Sequence, residues 1–324
     1  MSESDVLDLI RPHRGELIAA IGVFDGVHLG HRTILREMVV HARSAGLLSV
    51  AVTFEPHPDQ VLGRAPGAVR LSTPAAKAAM IRDLGVDLVL PLAFDREFAS
   101  LTAQAFVQRH LVSELAPRQV YVGFNFTFGQ HGSGTASRLT QLGAASGFAV
   151  RVFSPQVGNG GVVSSTKIRS TLATGDVAMA SRLLGRPYRS SGVIVRGDHR
   201  GSGLGFPTAN VALAPEMVIP KLGVYAGWAS VAGRAWPAVA NIGRRPTFAV
   251  DGQVVLEVHL IGYPGGQIYG QTLEFVWIAR LRDEQRFEDA GHLCQQIAAD
   301  CAEALRRLRL RQDAIAPRTD NNMC

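Results

Sequence analysis

Two rhythms divide this chain. From residue 17 to residue 184, short apolar runs alternate with stretches of helical spacing. From Ser190 to Leu281 helical spacing does not recur, and short strands with glycine turns replace it. Strands alternating with helices imply a parallel sheet covered on both faces. Evenly spaced short strands imply an antiparallel barrel or sandwich. A chain of 324 residues has room for both, each with its own core. The boundary is placed near Gly185–Arg189, giving domains 1–186 and 187–324, with no internal repeat.

In the first half, residues 17–23 read as a buried strand ending in glycine and valine, and residues 31–45 as a helix closed by Gly46. Strands follow at Leu47–Phe54, 86–92, 118–123 and 149–154. Helices are expected around 74–84, 103–115, 166–173 and 176–184, the last capped by Asp176. In the second half, strands are expected at 192–196, 224–231, 235–242, 254–261 and 273–279. Within one of these, Val254, Leu256, Val258 and Leu260 share one face, and Val255, Glu257 and His259 the other. A helix over about 287–310 carries Leu293, Ile297, Cys301, Leu305 and Leu308 at helical spacing, a stripe that should pack on the barrel. The polar tail from Ala314 to Cys324 is expected to be disordered.

Composition excludes several classes. No apolar run reaches the ~20 residues a membrane helix needs, and the first ten residues lack a basic n-region, so a cytoplasmic protein is expected. Three cysteines, all near the C-terminus and none in a Cys-x-x-Cys, argue against a disulfide framework or structural zinc. The net charge of +6 has a concentrated source, the run 306–311 that closes the last helix. That run reads either as cations offsetting a helix dipole or as an RNA patch, and no other nucleic-acid motif accompanies it.

Gly22-Val-Phe-Asp-Gly-Val-His-Leu-Gly-His31 joins a buried strand to a helix start. Free backbone N–H groups and the positive dipole end at such a junction suit phosphate. His28 and His31 are three apart, so both rings can reach the same helix mouth and stabilise charge on a phosphorus under attack. A strand–turn–helix with surface histidines is the plain alternative. Farther along, Ser164-Ser165-Thr166-Lys167-Ile168-Arg169 combines hydroxyls and cations, with Ser165 or Thr166 as the expected cap of a short helix.

His28-Leu29-Gly30-His31 matches the His-x-Gly-His signature of nucleotidyltransferases, and the longer segment resembles the bacterial bifunctional riboflavin kinase/FAD synthetase family. Thr53-Phe-Glu-Pro-His-Pro58, Gly123-Phe-Asn-Phe-Thr-Phe-Gly129 and Ser164–Arg169 resemble further segments of that family in the same order. The resemblance implies a Rossmann-like sheet in the first half. It implies nucleotide or flavin contacts at Gly22, Phe24, Asp25, Gly30, Asn125, Ser164, Ser165 and Thr166, with His28, His31 and Arg169 stabilising the transition state.

The glycine-dense stretch 197–210 is neither a Walker loop nor a dinucleotide fingerprint, because no Gly-Lys-Ser/Thr and no helix follows. Its N–H groups suit a phosphate flap, and Thr208 and Asn210 offer oxygens suited to Mg²⁺. Gly205-Phe206-Pro207-Thr208-Ala209-Asn210 and the segment 241–248 resemble the riboflavin kinase signature. That resemblance implies a six-stranded barrel, substrate contacts along Gly205–Asn210, and Glu257 as catalytic base.

The sequence departs from the family pattern at four places: Asn125 and Thr127 replace an acid and a base, Lys167 stands for arginine, and Ser202 stands where arginine is expected. The implied chemistry is riboflavin to FMN and then FMN to FAD, each with ATP and Mg²⁺. The expected partners are these small molecules, with no nucleic acid or membrane; a weak homo-oligomer is left open. Two rival readings remain at this stage. One is a His-x-Gly-His enzyme acting on pantetheine phosphate, nicotinate mononucleotide or glycerol phosphate; the other is a flavin-binding regulator with RNA contacts.

Overall fold

The computed structural model describes residues 2–64, 70–158, 161–196, 205–244 and 254–310. Parts of the two glycine-rich kinase-like segments, including Arg200 and Ser202, and the tail from Ala314 lie outside the described residues. The chain divides into two compact units at Lys167/Ile168.

The first unit begins with α1 (Glu3–Ile10), which the sequence reading did not anticipate; Ser2 and Asp5 close a capping box on it. Then follow β1 (Leu17–Ile21), α2 (Leu29–Ala45), β2 (Leu48–Glu55), α3 (Pro74–Arg82) and β3 (Leu88–Ala93). Next, α4 (Ala103–Phe106) continues as a π-helix over Val107–Leu115, where a plain α-helix was expected. Finally come β4 (Gln119–Gly123), α5 (Ala136–Ser146), which was also missed, and β5 (Ala149–Phe153).

The five strands run parallel in the order β3-β2-β1-β4-β5. All five residues of β1 are buried, because alternate side chains enter two different cores. Leu17, Ala19 and Ile21 join Val50, Val52, Val120 and Val122 on one face. Ile18 and Ala20 join Ala51, Val89 and Tyr121 on the other. Each fully buried aliphatic side chain contributes about 1.5–3 kcal/mol. The strand order reverses at β1, whose neighbours β2 and β4 come from opposite directions of the winding. A crevice opens outside the carboxyl ends of the strands at such a reversal.

The division falls within α6 (Ser165–Ala173), and the second unit continues with α7 (Val177–Leu184) and the strands β6 (Tyr188–Val195), β7 (Thr208–Leu213), β8 (Gly223–Val231), β9 (Arg234–Arg244), β10 (Val254–Leu260) and β11 (Thr272–Arg282). The strands close a barrel in the order β6-β7-β10-β9-β8-β11. As expected, Asp176 caps α7, its carboxylate accepting from the Met179 N–H at 2.8 Å. By packing, α7 belongs with the barrel, lying against β11 and β6. Its interior is aromatic: Trp277 meets Tyr225 and Phe275 edge to face, at 5.2 and 4.6 Å between centroids. Gly227 is required there, since a Cβ would stand 2.2 Å from the Val276 carbonyl oxygen and 2.5 Å from the Phe275 ring.

The last helix, α8 (Ala290–Arg309), starts later than expected, capped by Asp289. Its buried positions are Asp300, Ala304 and Leu308; of the anticipated stripe Leu308 is fully buried, and Leu293, Ile297, Cys301 and Leu305 are half-buried. The burial of Asp300 is matched by three contacts of 2.8–3.0 Å from Arg282 of β11 to its carboxylate and a fourth from Gln296. Arg306 and Arg307 pair with Glu303, and Arg307 also donates to the Arg280 carbonyl, so much of the basic run serves the helix and barrel.

Candidate active sites

In the first unit a cavity of about 730 Å³ lies past the carboxyl ends of β1, β2, β4 and β5. The segment after β1 bends sharply: Phe24 and Val27 hold positive φ of 51° and 40°, and Gly26 holds 74°. Positive φ is costly for Phe and Val, and the surrounding bonds hold it in place. Asp25 lies behind this bend, its buried carboxylate accepting from the N–H groups of Leu71 and Ser72 at 2.9 and 3.3 Å. The Gly26 N–H donates to Ser72 Oγ at 3.2 Å, and Ser165 Oγ donates to the Asp25 carbonyl at 3.0 Å.

The bend delivers two histidines to the cavity. His28 caps α2, its Nδ1 accepting from the His31 N–H at 3.3 Å. An accepting Nδ1 places the proton of a neutral imidazole on Nε2. The two rings stack at 3.5 Å, and Phe24 stands edge-on to His31 at 5.2 Å. Burial first, then the neighbouring His28 ring and the Lys77 ammonium, hold His31 well below the ordinary imidazole range. Gly30 permits the stack, because a Cβ there would meet the His28 ring at 3.2 Å.

Opposite chemistry lines the rest of the cavity. Phe54, Phe94, Phe98, Phe106, Phe126 and Phe128 form a continuous aromatic wall, with neighbouring centroids 5.3–5.9 Å apart. Gly22, Phe24, Gly30, Asn125, Ser164, Ser165 and Thr166 line the cavity. Asp25 and Arg169 are not among its lining residues; Asp25 is turned into the support of the bend, and Arg169 lies beyond the Lys167/Ile168 division. The cap of α6 also differs from expectation. Ser164 Oγ accepts from the Lys167 N–H at 3.2 Å, while Ser165 is engaged with Asp25.

Phe94, Phe98 and Phe106 were missed. Phe94 follows β3, Phe98 lies on the short helix Arg96–Ser100 and Phe106 closes α4, and only the fold brings them to one wall. A buried ionic cluster under the bend was missed too. Glu55 contacts Lys77 Nζ and Arg70 at 2.7 Å each. His57 of the same sequence segment is buried and caps the turn Pro58–Val61 through the Asp59 N–H.

In the second unit, strand register assembles the other site. Asn210 of β7 and Asn241 of β9 both pair with Glu257 of β10. Thr208 pairs with His259, two residues along. Register partners and alternate residues share a face, so Thr208, Asn210, Asn241, Glu257 and His259 stand together. Leu256, Val258 and Leu260 are buried on the opposite face as expected, whereas Val254 at the strand end is exposed. His259 Nδ1 donates to the Pro207 carbonyl at 2.9 Å and meets the Phe206 ring edge-on at 5.5 Å, fixing the approach to Thr208. Gly205 holds a φ of 82° at the start of that approach. The carboxylate, two amides and a hydroxyl are the donors and acceptors that a polyhydroxyl substrate and phosphate oxygens need.

Sequence comparison agrees with the two-unit arrangement. Residues 10–167 match the FAD synthetase family and residues 184–308 the riboflavin kinase family. A bifunctional riboflavin kinase/FMN adenylyltransferase of Pseudomonas fluorescens is 41% identical over 295 residues, 91% of this chain and 94% of its own. Its counterpart in Bacillus subtilis is 36% identical over 92% of this chain and 94% of its own. That of Escherichia coli K12 is 39% identical over 87% and 90%. A crystal structure described as a macrolide-efflux protein from Streptococcus pneumoniae superposes with a TM-score of 0.81 at 31% identity, covering 90% of this chain and 94% of its own. With both halves matched in order and relatives above 35% identity along most of its length, the chain belongs to the bifunctional riboflavin kinase/FMN adenylyltransferase family.

Proposed function

We propose that the Glu257 face of the barrel phosphorylates riboflavin to FMN and that the cavity of the first unit adenylylates FMN to FAD, with ATP as donor in both steps. The functional domains are then residues 1–186 for adenylyl transfer and 187–324 for the kinase. The observation that carries this reading is the pairing, in one cavity, of stacked histidines at a helix start with a wall of six phenylalanines. A triphosphate suits the first and a flat tricyclic ring the second.

In the kinase step Glu257 takes the proton of the ribityl 5′-hydroxyl as that oxygen attacks the γ-phosphorus, and ADP leaves. Asn210 and Asn241 flank the carboxylate and orient the hydroxyl. In the adenylylation step the FMN phosphate attacks the α-phosphorus of a second ATP, and pyrophosphate leaves. His28 and His31 stabilise the negative charge on the α-phosphoryl oxygens, while Ser164, Ser165 and Thr166 bind phosphate oxygens.

The donor set on the barrel fits Mg²⁺. Thr208 and Asn210 provide hard neutral oxygens, and no group of three His, Cys, Asp or Glu able to hold a metal occurs among the described residues. Such a set suits an ion that keeps waters and takes its remaining ligands from phosphates. When bound, Mg²⁺ neutralises phosphate charge. The described residues contain no helix long and apolar enough to cross a membrane; we place the protein in the cytoplasm, with small molecules and no nucleic acid as partners.

The test is chromatography of flavins after incubation with riboflavin, ATP and Mg²⁺. FMN followed by FAD is expected; unchanged riboflavin refutes the reading.

A further inference from the structure

Lys77 is almost fully buried, 4% exposed, on the helix α3 beneath the His28–His31 bend. A lone ammonium at such a place is expensive, and four oxygens compensate it. Its Nζ lies 2.7 Å from Glu55 Oε1, 2.9 Å from Thr53 Oγ1, 3.3 Å from the Val23 carbonyl and 3.5 Å from the Phe54 carbonyl. Glu55 is shared with the buried Arg70. Burial works to raise the Glu55 carboxyl, but the two cations outweigh it and hold the group below its ordinary range.

The contact with Val23 reaches the site. Its carbonyl receives both Lys77 Nζ and Thr53 Oγ1, the latter at 2.9 Å. The Val23–Phe24 peptide is trans, so its C=O and N–H point opposite ways. Anchoring the carbonyl on Lys77 and Thr53 therefore turns the Phe24 N–H away from them. That N–H has no hydrogen-bond partner among the described residues, and Phe24, in its left-handed conformation, both lines the cavity and braces the His31 ring.

We propose that Lys77 is a positioning residue for adenylyl transfer: held by Glu55, it fixes the Val23–Phe24 peptide and, through it, a backbone donor and the His31 ring against the reacting phosphate. The role differs from phosphate binding, since Lys77 does not line the cavity. The charged and titratable groups at this corner are His28 on the bend, Lys77 on α3, Glu55 on β2, and Arg70 and Asp25, which face Lys77.

The inference rests on the cavity's reaction being FMN adenylylation; wild-type protein that makes no FAD from supplied FMN defeats that reading by itself. In the full chain, Lys77→Met should lower kcat for FAD formation about 10²-fold, the scale of an ångström misplacement. The KM for ATP should change far less, and riboflavin kinase activity should be unchanged. Because Lys77 holds His31 low, its neutralisation should also move the His31 titration, read by NMR of labelled imidazole, to higher pH. Thr53→Val, which removes the other donor to Val23, should lower kcat in the same direction by a smaller factor. The urea-unfolding profile reports that the variant is folded, and FMN binding is read by flavin fluorescence. An unchanged kcat and unchanged His31 titration in FMN-binding Lys77→Met overturns the proposal. So does a kcat loss in both variants that only matches their loss of FMN binding.

Discussion

The rings of His28 and His31 lie stacked 3.5 Å apart, with 20° between their planes. Two imidazolium ions do not share that spacing in a buried corner without strong repulsion. The arrangement fits one donor, His28 Nε2–H, beside a neutral His31 that becomes easier to protonate when an anionic triphosphate arrives.

Loss of the cap and donor at position 28 should be selective. His28→Ala is expected to slow FAD formation from FMN by ~10²–10³-fold, the range for one positioned transition-state donor. FMN formation from riboflavin, assayed on the same sample, should stay near the wild-type rate.

His31 also predicts a pH dependence. Its folded value lies well below the ordinary 6.5, chiefly through burial. The unfolded chain then binds this proton more readily than the folded one, so stability rises with pH across the window below about 6.5. The contribution is present above 6.5 and is lost as pH falls towards the folded value, with a slope of at most about 1.4 kcal/mol per pH unit. Urea unfolding of the first unit between pH 5 and pH 7.5 should show this slope in the wild type and a flatter one in His31→Gln.

On the barrel, Glu257→Gln keeps the shape of the side chain and its place between Asn210 and Asn241. It removes the proton acceptor, for which a loss of ~10²–10⁴-fold in FMN formation is expected. Supplied FMN should still be converted to FAD at the wild-type rate.

The Arg282–Asp300 pair ties β11 to α8 in a largely buried setting, with side chains 17% and 6% exposed. Arg282→Met strands the Asp300 carboxylate and should destabilise the second unit by about 3 kcal/mol. Arg282→Met combined with Asp300→Leu should recover most of that loss in urea unfolding.

Much of this was readable in sequence because it is periodic. Leu17–Ile21 is a buried strand by its unbroken apolar run, and Leu256, Val258 and Leu260 alternate with Glu257 as the pleat requires. His28 and His31 were legible because a strand end, glycines and a helix start bracket them. The rest depends on tertiary contacts with no local signal. Asp25 reads as a ligand in its motif but is claimed by Leu71 and Ser72, 46 and 47 residues away. Asp300 lies beside the apolar stripe of its helix, and its burial depends chiefly on Arg282 of a distant strand. Asn241 joins Glu257 and Asn210 by barrel register, which strand spacing alone does not set. Lys77 sits in an alanine-rich helix of weak amphipathicity, with nothing nearby to mark it as buried.

The central claim is that one chain carries two separable ATP-dependent steps. It is tested most directly by mixing His28→Ala and Glu257→Gln proteins with riboflavin, ATP and Mg²⁺ and separating the flavins. The His28→Ala protein alone should stop at FMN, the Glu257→Gln protein alone should leave riboflavin, and the mixture should make FAD by passing free FMN from one to the other. Absence of FAD from the mixture, where wild-type protein makes it, would contradict the account.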